Sequence, residues 1–215
     1  MRRLTPWFVA LATLATTVTA HAQNIEGSVQ LEYGRMANND PGYDLFNDRN
    51  RMPSWGVRGG ASIGEHLSII GGWHRVRRGS ETWAYYEGEG TFYENQLSAA
   101  YYADQFTLGP KVGMKLGEIV YPYASVEGML FRSVIRFDDD TSTKNNLGQV
   151  MGAGMAPGLV TAAGAEFRSQ TGVVGLMIAF HFDLGYAWVN PVKYGTLGDI
   201  QPGGLMGRGG IGLRF

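Results

Sequence analysis

A chain of 215 residues with 18 Lys and Arg against 19 Asp and Glu has a formal charge of −1 and no cysteine. That near-balance excludes the concentrated basic surface of a nucleic-acid binder, and the missing thiols exclude disulfides and thiolate metal sites. Glycine (32 residues) stands at about twice its usual share, and aromatics make up 12%, a combination that fits a secreted β-sandwich or a membrane barrel.

The N-terminus reads as a secretory signal peptide. Arg2 and Arg3 form a positive start, an apolar run extends from Leu4 to Val18, and Ala20-His21-Ala22 is a small-x-small cleavage site. The expected division is residues 1–22 as signal peptide and 23–215 as one barrel domain. Arg2 and Arg3 are the charged residues of the leader, so the mature chain carries −3. No later stretch has the ~18 apolar residues of a spanning helix, whereas a spanning β-strand needs only about 9–11 alternating ones.

Eight alternating segments follow. In 25–35, Ile25, Val29, Leu31 and Tyr33 oppose Glu26, Gln30 and Glu32. In 54–64, Trp55, Val57 and Ile63 oppose Arg58. In 67–77, Leu67, Ile69 and Trp73 oppose Ser68 and His74. In 105–116, Phe106, Leu108, Val112 and Leu116 oppose Lys111 and Lys115. In 122–136, Ala124, Val126 and Leu130 oppose Glu127, and the phase slips near Phe131 as a β-bulge would make it. In 159–168, Leu159 and Phe167 oppose Glu166 and Arg168. In 173–189, Val174, Leu176, Ile178, Phe180, Phe182, Leu184, Tyr186 and Trp188 oppose His181 and Asp183. In 205–215, Leu205, Gly209, Ile211, Leu213 and Phe215 oppose Arg208 and Arg214. Pro110 lies inside the fourth segment. A closed barrel offers proline no edge strand, so the strand starts after it or a bulge sits there.

Three features favour a membrane barrel over a sandwich in water. Links after the first, third, fifth and seventh segments are long (37–53, 78–104, 137–158, 190–204), and the others are short (Glu65-His66, Gly117–Tyr121, Gln170–Gly172), the alternation of extracellular loops and periplasmic turns. Tyr33, Trp55, Trp73, Tyr121, Tyr123, Phe167, Tyr186 and Trp188 fall toward segment ends, where interface girdles form. The chain ends on Phe215, with Leu213, Ile211 and Gly209 on its face. The expected fold is all-β: an eight-stranded antiparallel up-and-down transmembrane barrel.

With Pro122-Tyr123-Ala124-Ser125-Val126-Glu127-Gly128 opening a mid-barrel strand, glycine-rich strands and the Phe215 ending, the mature chain resembles the OmpA/OmpX-like family of small outer-membrane barrels. The resemblance implies the outer membrane of a Gram-negative bacterium as location. It implies outer-membrane lipids, lipopolysaccharide included, and the barrel-insertion machinery as partners, the latter reading Gly209, Ile211, Leu213 and Phe215. No peptidoglycan-binding domain follows the barrel, so cell-wall anchoring is not implied.

The inward phase holds Glu26, Glu32, Arg58, Lys111, Lys115, Glu127, Glu166, Arg168, His181, Asp183, Arg208 and Arg214. An eight-stranded barrel is just wide enough for side chains to fill it, so these groups are expected to pair into a polar network that plugs the lumen. The alternative is a narrow passive pore or a small-hydrophobe transporter. A lipid-modifying enzyme comes third: His181 and Asp183 share a face and could form a general base with its orienting acid. However, position 183 is Asp where the His-x-Ser pattern of outer-membrane lipid A deacylases has Ser. We therefore expect no enzymatic activity, no cofactor and no metal, and a monomer. Asp138-Asp139-Asp140 reads as a solvated acidic turn more readily than a Ca²⁺ site. Trp83, Tyr85, Tyr86, Phe92 and Tyr93 in the second long loop are candidate contacts for an extracellular ligand, or pack on one another as an extended hairpin.

Overall fold

In the computed structural model, eight long antiparallel strands close into a barrel. They are β1 (Ile25–Ala37), β2 (Arg51–Ile63), β3 (Leu67–Gly88), β4 (Thr91–Gly113), β5 (Val120–Asp139), β6 (Met151–Gln170), β7 (Met177–Val189) and, after two short strands, β10 (Gly204–Arg214). The short strands β8 (Val192–Lys193) and β9 (Asp199–Ile200) pair with each other, and β10 pairs with both β7 and β1 to close the ring. The structure describes residues 25–38, 40, 51–88, 91–139, 151–195 and 198–215, with backbone alone at 79–88, 91–99, 137–139 and 151. The signal peptide, Asp140, and the side chains of Asp138, Asp139 and the second-loop aromatics fall outside that description.

Alternation sets the faces, and the solvent preference is inverted relative to a protein in water. Leu31, Leu108 and Leu184 on the exterior are 64%, 66% and 65% exposed, while Glu32, Glu127 and Asp183 in the interior are 4%, 0% and 1% exposed. Water would penalise that exterior at roughly 25 cal/mol per Å² of apolar surface. Hydrocarbon does not, and the closed ladder leaves no unpaired edge for it to meet. Trp55 and Trp73 pack edge to face at 5.4 Å, and Tyr186 lies 4.8 Å from Trp188, forming an aromatic belt at the end opposite the short turns. At the short-turn end, Gly64, Gly117 and Gly172 all have positive φ (67°, 67° and 83°), the left-handed backbone that tight reversals need.

Several expectations need correction. Pro110 neither precedes the strand nor sits at a bulge. Leu108 faces Gly128 and Lys111 faces Ser125 in one unbroken register, and the ladder to β5 simply skips Gly109 and Pro110. No phase slip occurs at Phe131, which points inward with Glu127 and is fully buried. The outward position beyond it is Arg132, and Arg35, Arg75, Arg77 and Arg136 are outward too. Those strands have already risen past the aromatic belt, so the lipid-face rule no longer governs them. Tyr121 and Tyr123 are not girdle residues: both are buried in the lumen. Val173 and Val174 lie in the turn before β7 rather than in a strand.

Candidate functional site

The largest convergence of charged side chains among the described residues is in the lumen, and inward glycines make the room. A Cβ on Gly56 would lie 2.6 Å from His74 Cδ2, one on Gly164 2.7 Å from Asp183 Cβ, and one on Gly210 2.6 Å from His181 Cε1. Neighbouring strands thus alternate an absent side chain with a large one, which is how a tight barrel holds imidazole and guanidinium groups.

Two charged layers result. In the middle layer, Arg58 from β2 reaches Glu32 (3.1 Å), Asp183 (3.3 Å) and Glu127 (3.3 Å). Arg208 from β10 reaches Asp183 (2.9 Å) and Glu127 (3.1 Å). Ser125 Oγ donates to Glu127 and Tyr123 Oη to Asp183, each at 3.1 Å. Glu32 is flanked by two imidazoles, His74 Nε2 at 2.5 Å and His181 Nε2 at 2.7 Å. Nearer the short turns, Glu166 gathers Lys111 (2.9 Å), Arg168 (2.7 Å) and Arg214 (3.0 Å), and Arg214 also binds Glu26 (2.8 Å) and Ser62 (2.9 Å). Arg168 and Lys111 lie over the Tyr121 and Tyr123 rings, at 3.8 and 4.4 Å from the centroids.

The structure therefore brings together eleven of the twelve inward residues expected from sequence. Lys115 does not join them. It lies beyond the end of β4, exposed, on the wall of an open basin of about 570 Å³ shared with Glu65 and Glu118. Glu26 is at the rim of that basin, its side chain half-exposed. His181 faces Glu32, and Asp183 is bound by Arg58 and Arg208 rather than by His181. Sequence reasoning placed His74 on the inward face without giving it a role, and assigned Tyr123 to the girdle although its parity with Glu127 marks it as inward.

A third layer, toward the long connections, is apolar. Met36, Val76, Tyr101, Phe131, Ile135 and Val189 pack across the lumen. Val192, Tyr194 and Ile200 of the β8–β9 segment fold into the same cluster, all buried. Tyr194 Oη hydrogen-bonds Ser133 Oγ, and Asn38 Nδ2 donates to the Gln201 carbonyl at 2.8 Å. From sequence, 190–204 is expected to be a long link, and the inward phase is expected to pair its charged residues; neither expectation includes this apolar layer. An inward-facing apolar residue in a barrel this narrow has no lipid to meet, so phase alone does not reveal this layer.

A closed eight-stranded barrel with an apolar exterior, an aromatic belt and an ionised interior is a small barrel of the outer-membrane class. The same fold is found in Ail, the attachment invasion locus protein of Yersinia pestis (17% identity, 90% of this chain and 100% of that one, TM-score 0.51). Weaker likenesses are to the N-terminal barrel of OprF from Pseudomonas aeruginosa (12% identity, 91% and 100% covered, TM-score 0.46) and to Neisserial surface protein A (11% identity, 91% and 98% covered, TM-score 0.44). No protein-family model and no curated protein sequence matches the chain.

Proposed function

We propose that the protein is a non-conducting, non-enzymatic outer-membrane barrel that acts through its extracellular end. The observation that carries this reading is the crossing of the lumen by Arg58 and Arg208. They tie β2 and β10 to acids on β1, β5 and β7 within 3.3 Å. An ion entering the lumen would have to displace buried, mutually compensating charges, each of which costs several kcal/mol to strand. The apolar layer and the β8–β9 segment form a second obstruction above it. His181 serves the same network, held against Glu32 rather than beside a nucleophile.

The extracellular role rests on strand length. β3 and β4 run 22 and 23 residues, about twice what crosses a bilayer, and remain paired from Leu67–Val112 to Gly88–Thr91. The resulting two-stranded arm presents backbone well beyond the aromatic belt. The similar barrel Ail has been seen in complex with a heparin analogue, sucrose octasulfate; residues 79–99 of this arm carry Glu81, Glu87, Glu89 and Glu94 and no Lys or Arg, so its partner is expected to be other than a polyanion.

Purified protein in planar bilayers tests the first part: absence of steady openings supports it, and reproducible single-channel steps overturn it. Deleting residues 80–93 and measuring adhesion of expressing cells tests the second, which falls if adhesion is unchanged.

A further inference from the structure

We propose that Met36, Met52 and Met206, in the upper lumen, form a binding site for a soft monovalent cation such as Cu(I). Met36 on β1 lies directly opposite Met52 on β2 and directly opposite Met206 on β10. One rung across three adjacent strands therefore carries three thioethers. All three are buried, at 4%, 4% and 6% exposure, and belong to one packed cluster inside the barrel. Opposed residues of antiparallel strands have Cα atoms about 4.5–5.5 Å apart, and the closed ring turns their inward side chains toward its axis. Methionine is unbranched with three rotatable bonds, so its sulfur can swing toward a shared point. Gly185, opposite Met206 on β7, and Gly34, two residues below Met36, add no side chain to this part of the lumen.

The donor set chooses the ion. A thioether is a neutral, polarizable ligand that suits Cu(I), whereas carboxylate and carbonyl oxygens suit Mg²⁺ and Ca²⁺ and imidazole suits Zn²⁺. Among the described residues no group of His, Asp and Glu is arranged to hold a metal ion. Asn38, two residues above Met36, is committed elsewhere: its Nδ2 donates to the Gln201 carbonyl at 2.8 Å, and its Oδ1 accepts from the Asp40 amide at 2.7 Å. The absence of cysteine removed thiolates from consideration, and the methionines are the soft donors that remain.

The charge beneath the rung is a second, independent observation. The middle layer sets two guanidiniums, Arg58 and Arg208, against three carboxylates, Glu32, Glu127 and Asp183. Counted without its two imidazoles, that layer holds one negative charge in excess. A monovalent cation in the rung above supplies the charge it lacks, and a divalent one would overshoot it. The charge of Arg208, two residues below Met206, is already answered by Asp183 and Glu127. Methionine also serves as plain core filler, a role leucine fills equally well, so exchange for leucine separates the two. Binding changes no oxidation state: the ion enters as Cu(I) and is held by sulfur lone pairs. This assignment does not depend on whether the lumen conducts.

The test titrates the purified protein in detergent micelles with Cu(I), under anaerobic reducing conditions and against a chromophoric Cu(I) chelator. A parallel titration uses Ag(I), a redox-inert cation of the same charge and softness. Each ion is supplied both to folded protein and during refolding from urea, so slow entry past the β8–β9 segment is not mistaken for the lack of a site. Wild type and Met155→Leu, altered at an exposed outward methionine, should bind one ion per chain with equal affinity. Met36→Leu, a volume-conserving swap of the kind cores tolerate, should weaken binding about tenfold or more. Met36→Leu with Met206→Leu should abolish it. X-ray absorption of the Cu(I) complex should show sulfur neighbours, and Zn(II) should not compete. Heat-modifiable migration confirms that each variant is folded. The assignment is overturned by a lack of stoichiometric binding along both routes or by unchanged affinity in the double variant. Nitrogen or oxygen neighbours around copper, or equal competition by Zn(II), would overturn it too.

Discussion

Arg208 lies directly opposite Asp183 in the β10–β7 ladder, and its Nε and Nη2 reach the two carboxylate oxygens at 2.9 and 3.2 Å. The pleat that turns Asp183 into the lumen turns Arg208 in with it, so register and charge agree. Arg208 also crosses to Glu127 on β5, which makes it the tie between neighbouring and distant strands.

Removing that tie should be costly. Arg208→Met leaves Asp183 and Glu127 short of a cation in a dry interior and should destabilise the barrel by about 3–5 kcal/mol. Adding Asp183→Leu should recover part of the loss, because it removes a carboxylate left under-compensated. Urea unfolding in lipid vesicles, followed by the heat-modifiable gel shift, reads both, and additive losses would contradict the pairing.

The inward glycines are the second test. Gly56→Ala would put a Cβ 2.1 Å from the Trp73 carbonyl oxygen and 2.6 Å from His74 Cδ2. The loss should be about 1–3 kcal/mol, the usual cost of overpacking. Gly209→Ala, on the outward face, meets nothing nearer than 3.5 Å and should be tolerated. Equal folding yields for the two variants would argue against the room-making role.

Position relative to the belt is the third. Leu108→Arg places a charge on the hydrocarbon face, where it costs about 2–4 kcal/mol at the midplane. Val134→Arg, outward on β5 beside the arginines and opposite Tyr102, should cost little. Folding equilibria of the two variants in lipid vesicles distinguish these outcomes.

If the lumen is obstructed in two layers, as proposed, a fourth expectation follows. Replacing residues 191–201 with a short Gly-Ser linker removes Val192, Tyr194 and Ile200 from the upper layer, yet the Arg58–Arg208 layer beneath still bars ions. Planar-bilayer recordings should remain silent. Conductance in this variant alone would mean that the β8–β9 segment, not the charge layer, closes the barrel.

Strand phase, turn positions and the inward charges were legible because one physical rule, hydrocarbon outside and ions inside, acts on every residue between the two ends of the membrane. Where that rule stops, the reading stopped. Arg132 looked like a slip of phase only because β5 had risen out of the hydrocarbon, and β3 and β4 looked like loop for the same reason. Tyr121 and Tyr123 misled because an aromatic residue suits a belt or a packed lumen equally, and parity had to decide. The β8–β9 plug left no periodic signal: two-residue strands are too short for alternation to show. Which acid meets which base was not legible either, since it depends on barrel shear as well as on neighbours along the sequence.

The chain has no cysteine, so single cysteines can be placed at will, and the most direct measurement is spin labelling of outward Leu31, Leu108, Leu184 and Leu205 in liposomes. The account predicts that oxygen, concentrated in hydrocarbon, relaxes all four labels more strongly than a water-soluble nickel chelate. Dominant relaxation by the chelate at these sites would mean that the exposed leucines face water, and a membrane-spanning barrel would be ruled out.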